Sequence, residues 1–539
     1  MTYDLILRNG NLYDGSGNPP VPGDLAIQGE FIAAMGDLRG QRARQEIDVD
    51  GLAVAPGFIN MLSWACESLL VDGRSQSDIR QGVTLEVMGE GFSYGPLNDA
   101  LRAWLYQQQG DFKFEAPWNT LDEYLEGLVG HGVSTNVASF VGTATLRAYV
   151  MGFVDRPPTA DEMAQILALG RQALAQGALG VSTALAYVPD IFYRTEDLIP
   201  LARLAAEHDS MFIAHMRGEG ERLLEGIDEM IEIARVSGAR TEIYHFKAAG
   251  WRNWDKLDTA VQKINAARAA GLPLTADIYP YAASASGLDL CMPPWVQEGG
   301  IEAWIARLKD PEVRQRLRQE MAGPGVGWEN ALDEITSPDG ILFAAFKNPA
   351  LRHYTGKTLG EVAALRGASP VDTVIDLVIE DESRVGVVFF TMSEDNLRKQ
   401  VALPWVSLCS DAGSLAPEGV FLSESTHPRA YGSFARFLGR YCRDEGIIPL
   451  EEAVRRLTAL PAANLKLDRR GALHVGHYAD AVVFDPAAVQ DHATFTEPHQ
   501  YSTGVRHVLV NGVPVLLDGE HSGATPGRVV RGPGVPRSS

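Results

Sequence analysis

The sequence predicts an α/β chain built round a parallel (β/α)8 barrel, and two observations carry that expectation. Short apolar runs alternate with helical patterns from Gly57 to about Lys466, the texture of repeated βαβ units and a parallel sheet. Two of those runs, Met-Phe-Ile-Ala-His215 and Thr-Glu-Ile-Tyr-His245, end on histidine. Between them Leu223, Leu224, Ile227, Met230, Ile231, Ile233 and Ala234 recur at helical spacing. That is strand, helix, strand, and each of the two strands then delivers one imidazole to the C-terminal rim, where barrel enzymes place their chemistry. Two such imidazoles are a ready pair of metal ligands; the competing reading is two unconnected core histidines.

Eight strands can be counted: Ala53–Asn60, Val83–Gly89, Thr135–Val141, Gly180–Ala184, Met211–His215, Thr241–His245, Leu274–Tyr279 and Trp405–Ser410. Helical patterns at Ala160–Ala175, Asp197–His208 and Lys256–Ala269 lie between several of them. The gap between the seventh and eighth is too long for a crossover. It holds a helical stretch, Trp304–Met321, and Gly/Pro punctuation to about Gly356. That reads as a lid-like insertion over the mouth, about 287–356.

Both chain ends have a different texture. Tyr3–Arg8, Gly23–Gln28, Phe31–Met35, Glu46–Asp48 and Ala53–Ala55 read as short strands, and Ala479–Phe484, Val505–Asn511 and Val513–Asp518 match them. Neither group closes a core alone. The economical expectation is one small β-sandwich built from 1–56 and 470–539, with the barrel at 57–469. From Gly523 onward a loose tail is expected.

Composition bounds the function. The chain has 539 residues, 45% of them hydrophobic, and a formal net charge of −22, which argues against nucleic acid or an anionic membrane as partner. No apolar run approaches a membrane span, and the first residues lack signal-peptide features. Four scattered cysteines without a CxxC form neither a disulfide framework nor a zinc knuckle. A cytoplasmic protein is expected, its state of homo-oligomerisation left open.

Other strand ends add chemistry. The eighth gives Leu-Cys-Ser-Asp411-Ala-Gly, a carboxylate at the barrel mouth. The second gives Met-Gly-Glu90-Gly, a carboxylate between glycines that allow a sharp turn; a turn carboxylate capping a helix is the competing reading. The seventh gives Asp277-Ile-Tyr279-Pro-Tyr281. Two His, a Glu and an Asp at one rim suit a borderline metal such as zinc.

The chain resembles the N-acyl-D-amino-acid deacylase (D-aminoacylase) branch of the amidohydrolase superfamily over nearly its whole length. The blocks that carry the likeness are Leu5-Ile-Leu-Arg-Asn-Gly, Pro56-Gly-Phe-Ile, Ala186-Tyr187-Val-Pro, Ala214-His215-Met-Arg, His245-Phe-Lys247, Asp277-Ile-Tyr279-Pro-Tyr, Ser410-Asp411-Ala-Gly and His427-Pro-Arg429. The resemblance implies a (β/α)8 barrel, a β-sandwich from both termini and an inserted lid. It implies zinc-dependent hydrolysis of the amide of a small-molecule N-acyl-D-amino acid. It further implies His215 and His245 as zinc ligands and Asp411 as the proton shuttle. Lys247 and Arg429 would hold the substrate carboxylate, and Tyr279 would polarise the scissile carbonyl. Tyr187 is a candidate for the pocket wall.

Two departures from the family pattern matter. The first strand reads Asn60-Met61-Leu62-Ser63-Trp64 where most amidohydrolases have His-x-His, and Glu90 stands where the family has Cys. No lysine ends the fourth strand. One metal per chain is therefore expected, on His215, His245 and Glu90. Manganese or cobalt would be admissible, since Glu90 replaces a soft ligand with a hard one. Leu62 and Trp64 should make the second site apolar, and Cys66 is a tempting substitute ligand but a commoner core residue. A cyclic-amide or lactone hydrolase, and a metal-free non-catalytic homologue, are the alternative readings. The first leaves Lys247 and Arg429 without a carboxylate to bind; the second leaves His215, His245 and Asp411 without a reason to stand together.

Overall fold

The computed structural model describes residues 2–535. Its centre is a ring of parallel strands: Phe58–Asn60, Val83–Met88, Asn136–Ser139 with Val141–Gly142, Gly180–Ala184, Met211–His215, Arg240–Ile243, Leu274–Ile278 and Val406–Leu408. Each pairs in parallel with the next. Asp411 N donating to Leu62 O at 2.9 Å and a parallel bridge between Ser63 and Ala412 close the last strand on the first. Most strand residues are buried, Met211–His215 throughout, so these strands read as continuous apolar runs, not alternating ones.

The helices between them carry their own stop signals. Ala160–Gln176 begins with a Thr159/Glu162 capping box and ends at Gly177, whose φ of 117° suits glycine. The 304–321 stretch is two helices, Ile301–Leu308 and Pro311–Glu320. Pro311, which has no N–H and favours the first helical turn, starts the second.

Both chain ends join one hydrogen-bonded sheet of nine strands. Ala53–Pro56 pairs antiparallel with Ala481–Phe484, so the run expected as a single strand over 53–60 divides at Gly57. The first half serves the terminal sheet and the second half the barrel. A Cβ on Gly57 would lie 2.1 Å from Thr84 Oγ1, so only glycine fits that crossing. Thr2–Leu12 pairs on one edge with Val21–Gln28 and on the other with Arg42–Asp48 and then Ala53–Pro56, so the sheet forks along this strand.

Two expectations are corrected here. The stretch after Gly523 is docked: Val137 N donates to Arg528 O at 2.9 Å, Val530 N donates to Val137 O at 2.8 Å, and Arg531 pairs with Asp122 and Glu126. It covers the part of the third barrel strand that the fourth leaves unpaired. The insertion also runs beyond 356. Gly386–Phe389 is the middle strand of a three-stranded sheet with Ser284–Gly287 and Ile341–Ala345. Its apolar core, including Leu288, Trp304, Phe343, Val374, Leu377 and Phe389, is separate from that of the barrel. Among the described residues no helix is long and apolar enough to cross a membrane.

Candidate active site

Glu90, His215 and His245 meet at the C-terminal rim, on the second, fifth and sixth barrel strands, with ligand atoms within 4.8 Å of one another and all three side chains buried. His215 Nδ1 lies 2.9 Å from His245 Nε2 and 3.1 Å from Glu90 Oε1, which is 2.9 Å from His245 Nε2. Glycine sets the Glu90 turn. Gly89 and Gly91 have φ of 97° and 64°, and a Cβ there would lie 2.4 Å from Phe140 O and 2.5 Å from Ala184 Cβ respectively.

His245 is held against backbone preference. Its φ is 33°, and its N–H donates to Asp277 Oδ1 at 2.7 Å. Asp411, φ 50°, is the other non-glycine residue of the rim in the left-handed region, and strain of this kind costs about 1–3 kcal/mol per residue.

The triad fits a metal ion. Its three inward atoms converge on one point, near the spacing of about 3.3 Å expected between tetrahedral donors at 2.0–2.1 Å from zinc. Glu219 completes the setting: its Oε1 lies 3.1 Å from His245 Nδ1 and 2.7 Å from Lys247 Nζ. A carboxylate on the outer nitrogen fixes the ring and leaves Nε2 free to face a metal. Burial and Lys247 depress His245, but Glu219 and Glu90 outweigh them and lift it to about 10. Burial alone would raise the Glu90 carboxyl; the imidazoles, His245 foremost, hold it well below its ordinary value.

Asp411 lies outside the triad. Its Oδ2 is 2.8 Å from Arg429 Nη1, and its Oδ1 accepts the Trp64 indole N–H at 3.1 Å. Burial lifts its carboxyl above the usual range, with Arg429 the main pull the other way. The Arg429 guanidinium stacks 4.5 Å from the Tyr279 ring centre, and its Nε has no hydrogen-bond partner among the described residues. The Tyr279 hydroxyl meets the Met392 sulfur at 3.6 Å, a weak acceptor. Tyr187 packs its ring 5.1 Å from that of His215 and exchanges a hydrogen bond with Ser286 at 2.8 Å. All eight residues singled out by sequence line one cavity of about 690 Å³ between barrel and insertion.

Two readings change, and a third, Cys66 as a core residue, is kept. Lys247 is not a free cation: it is buried, with Nζ committed to Glu219 and 2.7 Å from His245 Nδ1. The region of Leu62 and Trp64 is not simply apolar. Leu62 is buried, but Trp64 Nε1 donates to Glu90 Oε2 as well as to Asp411, 3.1 Å each. Cys66 belongs to the barrel core, and burial pushes its thiol up to about 12.

Sequence reasoning missed Glu219 and His427. Glu219, four residues past His215, would have been found by asking which carboxylate orients the imidazoles. His427 accepts the Arg429 N–H at Nδ1, 3.0 Å, so its Nε2–H donates to Ala283 O at 3.0 Å. Burial and the Arg429 charge keep it neutral. Its signal was the His-Pro-Arg block itself.

Residues 135–516 match the amidohydrolase family. D-aminoacylase of Alcaligenes xylosoxydans xylosoxydans is 34% identical over 533 residues, 98% of this chain and 97% of that protein. A solved D-aminoacylase, 33% identical, superposes with a TM-score of 0.81 over 98% of this chain and 100% of its own; it has a binuclear metal centre with one-metal activation and second-metal attenuation. N-acyl-D-glutamate deacylase of Bordetella bronchiseptica, 30% identical, superposes with a TM-score of 0.82 over 98% of this chain and 100% of its own. That enzyme was solved with zinc and a phosphonate that mimics the tetrahedral intermediate of its reaction.

Proposed function

This chain belongs to the amidohydrolase family, and on that footing we propose that it is a metal-dependent deacylase of N-acyl-D-amino acids, releasing a carboxylic acid and a free D-amino acid. The observation that carries the reading is the Glu90–His215–His245 triad set beside the Asp411–Arg429 pair in one cavity.

Glu90, His215 and His245 would hold one divalent cation, zinc first, with manganese or cobalt also suited to the carboxylate. When bound, the ion supplies the Lewis-acid field that polarises a carbonyl and acidifies a water. Asp411 takes the proton of the attacking water and passes it to the amide nitrogen as the C–N bond breaks, and its raised pKa suits both halves of that task. Tyr279, whose hydroxyl has only a thioether as acceptor among the described residues, donates to the carbonyl oxygen as negative charge develops there.

Arg429 receives the substrate's α-carboxylate through donors it does not spend on Asp411. Lys247 acts less directly than a clamp, by keeping Glu219 ionised beside His245. Tyr187 forms wall. Neither Leu62 nor Trp64 carries a metal-binding atom, which supports a single metal per chain on the triad. The net charge of −22 favours small molecules over nucleic acid as partners, and four buried, unpaired cysteines suit a reducing cytoplasm.

A panel of N-acetyl-D- and N-acetyl-L-amino acids, assayed for released amine, tests the reading. Turnover confined to D-substrates is expected. Activity on cyclic amides or lactones with none on the panel contradicts it.

A further inference from the structure

The Trp64 indole stands between two carboxylates that do different work. Its Nε1 is 3.1 Å from Glu90 Oε2 and 3.1 Å from Asp411 Oδ1. The opposite oxygens are already engaged, Glu90 Oε1 with the imidazoles and Asp411 Oδ2 with Arg429. Backbone register fixes the indole there: Trp64 N donates to Ala412 O at 2.9 Å, and Ser63 bridges to Ala412. The end of the first strand is thereby tied to the residue after Asp411.

We infer that the Trp64 indole N–H takes the place of a second cation at this site, holding Glu90 and Asp411 apart in their separate roles and closing the gap to another metal. This rests on the triad being a metal site. An indole N–H is a donor with no lone pair to offer a metal, so it satisfies two facing carboxylates without becoming a ligand. The partial positive charge of the N–H relieves part of their mutual repulsion, and the indole stays un-ionised at neutral pH. A cation between the same two oxygens would first have to displace the ring. Trp64 is thus a positioning residue, acting through Asp411 and Glu90. It is 39% exposed on the cavity wall, so replacing it does not open a core.

The test is equilibrium dialysis against zinc alone, followed by elemental analysis, on the parent, Trp64→Phe and Trp64→His, with kcat and KM measured on one N-acetyl-D-amino acid. The parent should hold one equivalent and keep its turnover in excess zinc. Trp64→His, which restores a ligand, should take a second, weaker equivalent. Trp64→Phe should keep the first equivalent while kcat falls roughly ten- to hundredfold and KM moves by less than about threefold. A Trp64→Phe protein with the parent's kcat overturns the inference, as does a parent that takes two equivalents. A parent that binds no metal overturns the metal-site reading and this inference with it. One equivalent in the parent, with kcat unchanged by Trp64→Phe, overturns this inference alone. If Trp64→Phe does not fold, the Trp64→His arm decides, and a single equivalent there overturns the inference.

Discussion

Arg429 Nη1 lies 2.8 Å from Asp411 Oδ2, so the cation assigned to the substrate also touches the group assigned to the proton. Removing it should act on both. Arg429→Met should raise KM and lower kcat together, with kcat/KM falling by about 1.5–3 kcal/mol in transition-state terms. Steady-state kinetics on an N-acetyl-D-amino acid checks this; a change confined to KM would mean that Asp411 works without Arg429.

Glu219 is expected to act through His245. With Glu219→Gln the imidazole loses its charged partner at 3.1 Å and Lys247 loses its counter-ion at 2.7 Å. Zinc affinity should fall roughly 10–100-fold, the usual effect of removing a group that orients a ligand. Chelator competition measures it, and an unchanged affinity would show that His245 needs no such support.

The insertion is latched to the same loop. Glu329 accepts the backbone N–H groups of Glu219 at 2.7 Å and Arg222 at 2.8 Å, and that of Gly220 at 3.0 Å. Glu329→Ala should free those donors, costing about 1–3 kcal/mol locally. Faster limited proteolysis within the insertion and a raised KM are expected. Identical proteolysis rates in parent and variant would rule out the latch.

Stability should fall as pH rises from about 4 to about 8. Burial, aided by the Asp277 charge, lifts Glu242 to about 8, and burial lifts Asp78 to about 7. Carboxyls in the unfolded chain titrate near 4. The folded state therefore binds more protons across that window, and the stability these groups contribute, full below pH ~4, is lost as pH passes their folded values. Melting should occur at a higher temperature near pH ~6 than near pH ~8.5, and Glu242→Gln should flatten the slope. Melting temperatures that rise over this range in the parent would contradict the assignment.

How much of this was legible depended on whether a signal was local. His215 and His245 could be read because each ends a continuous apolar strand, and Glu90 because glycines flank it. The docking of 528–531 on Val137 could not, since it depends on an unpaired strand edge that no local pattern reveals. The insertion's reach to Phe389 was hidden because its central strand lies outside the Gly/Pro-rich stretch. Trp64 reads as apolar in any sequence; its N–H became informative only when two carboxylates met it. Lys247 and Arg429 read as a cationic pair for a substrate carboxylate, and the structure gives each a carboxylate of this chain as partner.

The central claim is that Glu90, His215 and His245 hold a single metal on which hydrolysis depends. Elemental analysis of the parent and of Glu90→Ala, both purified without added metal, tests it most directly. The account predicts close to one equivalent of zinc in the parent and its loss, with activity, from Glu90→Ala. Two equivalents in the parent, or full activity in thoroughly chelated protein, would contradict it.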